Sequence, residues 1–190
     1  MSENNFPRVT EICRILDPDA YASVPAATLA VAADRGQRLH QLACTYLSSM
    51  LHLCDPPTEI DAADVAAYET LCGWVKDYEV SPLLVERTVV CPGHEYQGTP
   101  DALVELTLRG KRRRAVVDFK FTSAVLPINR VQLGAYWRLP EYTTAAEAML
   151  IHIQPDEGKL KIVRLMFGGP EWPAFLSALN VHKWRTQHHG

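Results

Sequence analysis

The sequence predicts an α/β protein, a central mixed β-sheet flanked by helices, in the order helix, helix, three strands, helix, two strands, helix. Three observations lead there. Apolar residues recur at helical spacing through the first third of the chain. After Ser81-Pro82 the pattern changes to short apolar and β-branched runs. A helical stretch then separates those strands from two more, and such a crossover lets the third and fourth strands run parallel.

Residues 1–26 contain Pro7, Pro18 and Pro25 and are expected to form a loosely structured lead-in, followed by a single domain over 27–190. A helix is expected over about 27–52, with Leu39, Leu42, Tyr46 and Leu47 on one face; Gly36 either interrupts it or is tolerated. Asp55-Pro56-Pro57-Thr58 breaks the pattern, and a second helix follows from about Asp61 to Tyr78. Leu83–Cys91 reads as the first strand. Val104–Leu108 and Ala115–Phe121 read as a hairpin around a polar turn with a glycine. Pro127 and Asn129 open a helix that ends before Pro140. Glu147–Gln154 and Lys159–Phe167 form a second hairpin around Asp156-Glu157-Gly158, and Glu171–Arg185 is a closing helix.

The hairpin register carries the chemistry. If Arg109-Gly110 is a two-residue loop, Leu108 faces Lys111 and each cross-strand pair sums to 219, so Asp101 faces Asp118. Opposed residues share a face, with Cβ atoms ~4.5–5.5 Å apart, and alternation puts Lys120 on that face too. The reverse face carries Ala102, Val104, Leu106, Leu108, Val117, Phe119 and Phe121, and is expected to be the core side. Arg-Gly is not among the strongest two-residue loops, but a one-residue slip would exchange the faces of a whole strand. Two carboxylates and a lysine on one face suit a divalent cation and phosphodiester chemistry. Asp101 and Asp118 supply anionic oxygen ligands for Mg²⁺ or Mn²⁺. Lys120 either orients or deprotonates water, or neutralises phosphate.

Composition sets the bounds. The apolar (47%) and charged (22%) fractions are those of an ordinary globular domain. No apolar run reaches the ~18–20 residues of a membrane span. The polar start, Met1-Ser2-Glu3-Asn4-Asn5, lacks the apolar core of a secretory leader, so a cytoplasmic location is expected. Cys13, Cys44, Cys54, Cys72 and Cys91 are scattered without C-x-x-C spacing, so neither zinc nor a disulfide framework is expected, and buried free thiols are. The net charge is −3, yet five of nineteen basic residues sit at one hairpin tip: Arg109, Lys111, Arg112, Arg113 and Arg114. Any DNA contact is therefore expected to be local.

Four strings in order resemble the PD-(D/E)xK nuclease superfamily and, within it, the RecB-like exonuclease branch. Pro100-Asp101 is similar to the first motif and Asp118-Phe119-Lys120 to the second. Gln132-Leu133-Gly134-Ala135-Tyr136 is similar to the branch's Q-x-x-x-Y helix, and Arg35–His40 to the helix that supplies a histidine ligand. The resemblance implies a restriction-endonuclease-like core. It implies metal ligation by His40, Asp101, Asp118 and the Phe119 carbonyl, with Glu86 as a further acidic residue of the first strand. It also implies one or two Mg²⁺ or Mn²⁺ ions. An iron–sulfur cluster is not expected, since no cysteine lies beyond Cys91. Gln132 and Tyr136 share a helix face and would bond phosphate or orient the carboxylates; Arg130, in that helix's first turn, would favour an anion.

The leading expectation is a metal-dependent DNA nuclease, an exonuclease working on free ends in recombination, repair or phage DNA processing, alone or beside a recombination or replication partner. The competing expectations are a structure-specific endonuclease of the same fold, and a non-catalytic nucleic-acid-binding or scaffold protein that keeps it.

Overall fold

The computed structural model describes residues 6–19, 22 and 24–188; the polar start at 1–5 lies outside them. The chain runs α1 (Val9–Cys13), α2 (Ala26–Met50), α3 (Val65–Asp77), β1 (Ser81–Val85), β2 (Val89–Cys91), β3 (Tyr96–Gly98), β4 (Ala102–Leu108), β5 (Lys111–Lys120), α4 (Pro127–Tyr136), a 3₁₀ turn (Pro140–Tyr142), β6 (Glu147–Gln154), β7 (Lys159–Arg164) and α5 (Glu171–His188). Five strands form one sheet in the order β1-β4-β5-β6-β7. Every neighbouring pair is antiparallel except β5 and β6, joined through the α4 crossover. This is a central mixed sheet flanked by helices, consistent with a restriction-endonuclease-like core.

The hairpin register is the expected one. The ladder runs from Leu108↔Lys111 to Ala102↔Val117. Arg109 and Gly110 both take positive φ, 49° and 73°, as a type I′ turn demands. Glycine adopts this without cost and arginine does not, so strand pairing and burial outweigh the local preference. Ala102, Val104, Leu106, Val117, Phe119 and Phe121 join one core cluster with Leu39, Leu47, Leu71 and Trp74 of α2 and α3.

The opposite face departs from expectation. Leu103, Val116 and Leu150 are buried there against α4 and α5, so both faces of β4 and β5 are core. Asp118 is 1% exposed. An apolar reverse face does not imply a solvated obverse, because α2 and α3 cover one side of the sheet and α4 and α5 the other.

Two further elements differ. The segment expected to be a loose lead-in contains α1, whose Val9 and Ile12 are completely buried beside α4 and α5. The three prolines hid a short stripe, 9, 12 and 13, at helical spacing. The single strand expected over Leu83–Cys91 is two. Glu86 adopts φ 46° and turns the chain off the main sheet, and β2 pairs with β3 in a separate hairpin. That hairpin seats Tyr96 in the core, with its hydroxyl donating to the Ala135 carbonyl at 2.9 Å. Gly36, by contrast, leaves α2 unbroken.

Because α1 is core rather than tether, Ile12→Ala is expected to cost about 2–4 kcal/mol in urea unfolding. A loss under about 0.5 kcal/mol, typical of a surface change, would show that α1 does not hold the fold.

Candidate metal centre

Asp101 stands one step beyond the last β4–β5 pair, where the register opposes it to Asp118. It leaves the ladder there. Its backbone carbonyl accepts from the Glu86 N–H at 2.9 Å. Its carboxylate takes over the next ladder position, Oδ2 accepting from the Phe119 N–H at 2.6 Å. The N–H and C=O of one strand residue leave by the same edge, so the Phe119 carbonyl also points to the Asp101 side. The other carboxylate oxygen, Oδ1, lies 2.8 Å from His40 Nε2 on α2.

His40 reaches this point because α2 lays Leu39, Ala43, Cys44 and Leu47 against the sheet and leaves His40 at the margin of that stripe. Its Nδ1 is 3.8 Å from Glu86 Oε1. The hydrogen bond to Asp101 raises the His40 pKa against the opposing effect of burial. Glu86 owes its place to its left-handed backbone, a conformation that non-glycine residues adopt at a cost and that recurs at functional sites.

Asp118 projects from β5, with Lys120 Nζ 2.5 Å from its Oδ2. Burial is the largest influence on its carboxyl and raises the pKa to about 6; Lys120 opposes that shift and the Asp101 charge adds to it. The pair of carboxylates thus carries a standing electrostatic cost that a cation would relieve. On the neighbouring strand, His152 is in register with Lys120. It donates from Nε2 to the Thr122 carbonyl at 2.6 Å, fixing the chain just beyond β5.

α4 supplies the remaining wall. Gln132 donates to the Tyr136 hydroxyl at 2.9 Å, and the Tyr136 phenol is pushed upward in pKa by burial and by the Asp118 charge. Tyr136 fits because residue 98 is glycine: a Cβ there would stand 2.8 Å from the ring. Gly98 is thus the space for that ring.

His40, Glu86, Asp101 and Tyr136 line one cleft of about 280 Å³ together with Arg8, Thr10, Gln97 and Thr99. The sequence reading missed these last four. Arg8 and Thr10 lay in the supposed lead-in, and Thr99 became legible only once its hydroxyl met that of Thr88 at 2.8 Å. It also missed Cys44, whose Sγ lies 3.8 Å from His40 Nε2 and 4.0 Å from Nδ1.

The basic residues expected to touch nucleic acid are not brought to this cleft. The tip at 109–114 lies at the other end of β5; Lys111 is seven residues from Asp118, roughly 23 Å along a strand. Arg112 is spent on the Glu79 carbonyl at 2.6 Å and Arg114 on Glu105 at 3.1 Å. Arg130 turns from the cleft to Glu171 on α5, at 2.6 Å.

The donors fit a hard divalent ion. Asp101, Asp118 and Glu86 are the anionic oxygen donors that Mg²⁺ or Mn²⁺ prefers, with the His40 imidazole 2.8 Å from Asp101 and the Phe119 carbonyl on the Asp101 edge.

No protein-family model matches the chain, and no curated protein does. Among solved structures, the chain is similar to the crystal structure of SSO0001 at 15% identity, covering 95% of this chain and 76% of that one, with a TM-score of 0.43. It is similar to LHK-Exo in complex with dAMP at 13% identity, covering 97% and 93%, with a TM-score of 0.36. Both lie below the similarity at which function can be argued.

Folded Asp118 holds its proton to about pH 6, an unfolded aspartate only to about pH 4. Between these values the folded state binds more protons, so stability falls as pH rises through the window. His40, also raised, acts in the same direction. Metal-free Asp118→Asn is therefore expected to exceed the wild type in stability by about 1–3 kcal/mol at pH 8, the gain vanishing below about pH 4. Chemical unfolding at both pH values measures it; a difference that does not change with pH would mean that burial does not act on the Asp118 charge.

Proposed function

We propose that this protein is a divalent-metal-dependent nuclease that hydrolyses phosphodiester bonds in DNA, acting as an exonuclease at a free end. The observation that carries the reading is the junction of Asp101, Asp118, Lys120 and His40 at one hairpin end, with an ammonium in contact with a buried carboxylate. Asp101, Asp118, His40 and the Phe119 carbonyl would hold the ion. When bound, the ion would supply the charge that stabilises developing negative charge on phosphate and leaving oxygens.

The chain's own groups divide the remaining work. Lys120 Nζ, fixed by Asp118, presents a cation and proton donor beside the scissile phosphate, either to the attacking water or to a phosphate oxygen. Asp101 is oriented on both oxygens, by the Phe119 N–H and by His40, so its ligand geometry exists before substrate arrives. The Gln132–Tyr136 pair offers a phenol at the cleft wall to hydrogen-bond a phosphate. Thr10, Thr99 and Arg8 line the same cleft and add neutral and cationic groups to it, which suits an anionic backbone. The complete acidic, acidic and lysine set favours catalysis over a binding protein that merely keeps the fold, since a buried Asp118 without chemistry to perform is a cost to stability.

Linear and covalently closed DNA, single- and double-stranded, incubated with Mg²⁺, Mn²⁺ or EDTA, tests the proposal. Metal-dependent loss of linear DNA is expected, with Asp118→Ala and Lys120→Ala each reducing the rate by roughly 10²-fold or more. No metal-dependent loss of any substrate overturns the enzyme reading. Cutting of closed circles replaces exonuclease by endonuclease, and activity surviving Asp118→Ala moves the site elsewhere.

A further inference from the structure

The two nitrogens of His40 have different company. Nε2 faces Asp101 and the acidic pair. Nδ1 faces Glu86 at 3.8 Å, and Cys44 Sγ lies beside the ring, 4.0 Å from Nδ1 and 3.8 Å from Nε2. His40 and Cys44 are four residues apart on α2 and share a helix face. Donor atoms of His40, Cys44 and Glu86 all lie within 4.8 Å of one another, the one such trio among the described residues. A tetrahedral ion with bonds of ~2.0 Å to nitrogen or oxygen and ~2.3 Å to sulfur separates its ligands by roughly 3.3–3.5 Å. The two His40 separations exceed this by about half an ångström, and the Cys44–Glu86 separation, within 4.8 Å, by at most about 1.3 Å, which rotation of the exposed Glu86 side chain would close.

We propose that this trio is a second, thiophilic metal site. Zn²⁺ or Cd²⁺ binds there through His40 Nδ1, Cys44 Sγ and the Glu86 carboxylate. By holding His40 and Glu86, the bound ion suppresses hard-ion chemistry at Asp101 and Asp118. Sulfur makes the site selective: Mg²⁺ and Mn²⁺ take oxygen ligands and leave a thiol alone, whereas Zn²⁺ and Cd²⁺ bond it strongly. On binding, the Cys44 S–H bond breaks, its proton passes to solvent, and the freed electron pair forms the sulfur–metal bond; nothing is oxidised or reduced. The thiolate and the Glu86 carboxylate then balance the two charges of the ion, so burial beside Cys44 costs little. Entry is from the cleft, where the His40 and Glu86 side chains are 33% and 42% exposed. The binding half of the proposal stands on this geometry; only the suppression half rests on the nuclease reading.

The test titrates Cd²⁺ into the full chain, with exposed Cys54 replaced by serine throughout, and follows sulfur-to-cadmium charge-transfer absorption. One equivalent of thiolate-bound Cd²⁺ is expected. Cys44→Ser is expected to lose the band and bind at least tenfold more weakly; Glu86→Gln is expected to keep the band at lower affinity. Equal bands and affinities with and without Cys44 overturn the site. If Cys44→Ser melts early, alkylation of Cys44 in the otherwise native chain, read by mass spectrometry, decides instead: Zn²⁺ slows it if the site exists and leaves it unchanged if not. For suppression, the Zn²⁺ concentration that halves Mg²⁺-dependent DNA loss, each variant scored against its own zinc-free rate, is expected to rise at least tenfold in Cys44→Ser. No rise overturns suppression and leaves binding to the spectroscopic result. A chain without nuclease activity fails the functional proposal while the cadmium band still decides this one.

Discussion

One carboxylate does the joining in this structure. Asp101 stands just before β4, accepts the Phe119 N–H of β5 at 2.6 Å, and meets His40 of α2 at 2.8 Å. Its own carbonyl receives the Glu86 N–H. Four segments far apart in sequence are thereby tied to a single residue. Charge-assisted hydrogen bonds to a nearly buried carboxylate are among the stronger polar contacts available. The same bonds that make the junction rigid also leave Asp101 pre-aimed at the position an ion would occupy. Structural and chemical roles are inseparable here, so removing this carboxylate tests both together, whereas Asp118 and Lys120 give cleaner access to the chemistry.

The second constraint is the three-layer packing. A parallel strand pair brings a crossover helix with it, and helices then cover both faces. That is why Asp118 is almost wholly buried and why its carboxyl resists ionisation. An aspartate on a solvated face would bind an ion more weakly and gain less from it. Burial raises the cost of the empty centre, and with it the reward for filling it. Lys120, in contact with Asp118, offsets part of that cost.

Much of this was legible in the sequence because β pairing is arithmetic. Once Arg109-Gly110 is the loop, the partner of every residue from 102 to 117 follows, and alternation separates the Phe119 face from the Asp118 face. The α4 crossover was legible from helical spacing between two groups of strands. Other features were not, for physical reasons. A five-residue helix such as α1 is too short for periodicity to stand out against three prolines, and tertiary packing on α4, α5 and β3 makes it stable. The turn at Glu86 depends on a positive φ that nothing in Val-Glu-Arg-Thr announces. The same pairing arithmetic put the basic run at the hairpin tip and the acids at its open end; what it did not announce is that Arg112 and Arg114 are engaged by Glu79 and Glu105. A thiol beside an imidazole, as with Cys44 and His40, is a four-residue helical spacing too common to single out without the third partner on β1's exit.

α1 also bears on how the molecule is made. It packs against α4 and α5, elements that leave the ribosome more than a hundred residues after it. Until they emerge, Val9 and Ile12 lack the two helices they pack against most, and non-local contacts of this kind form late. The main sheet's acidic residues can therefore be in register before the wall bearing Arg8 and Thr10 closes over the cleft. A nascent chain would carry the acids in register before α1, which brings Arg8 and Thr10 to the cleft, has its helical partners.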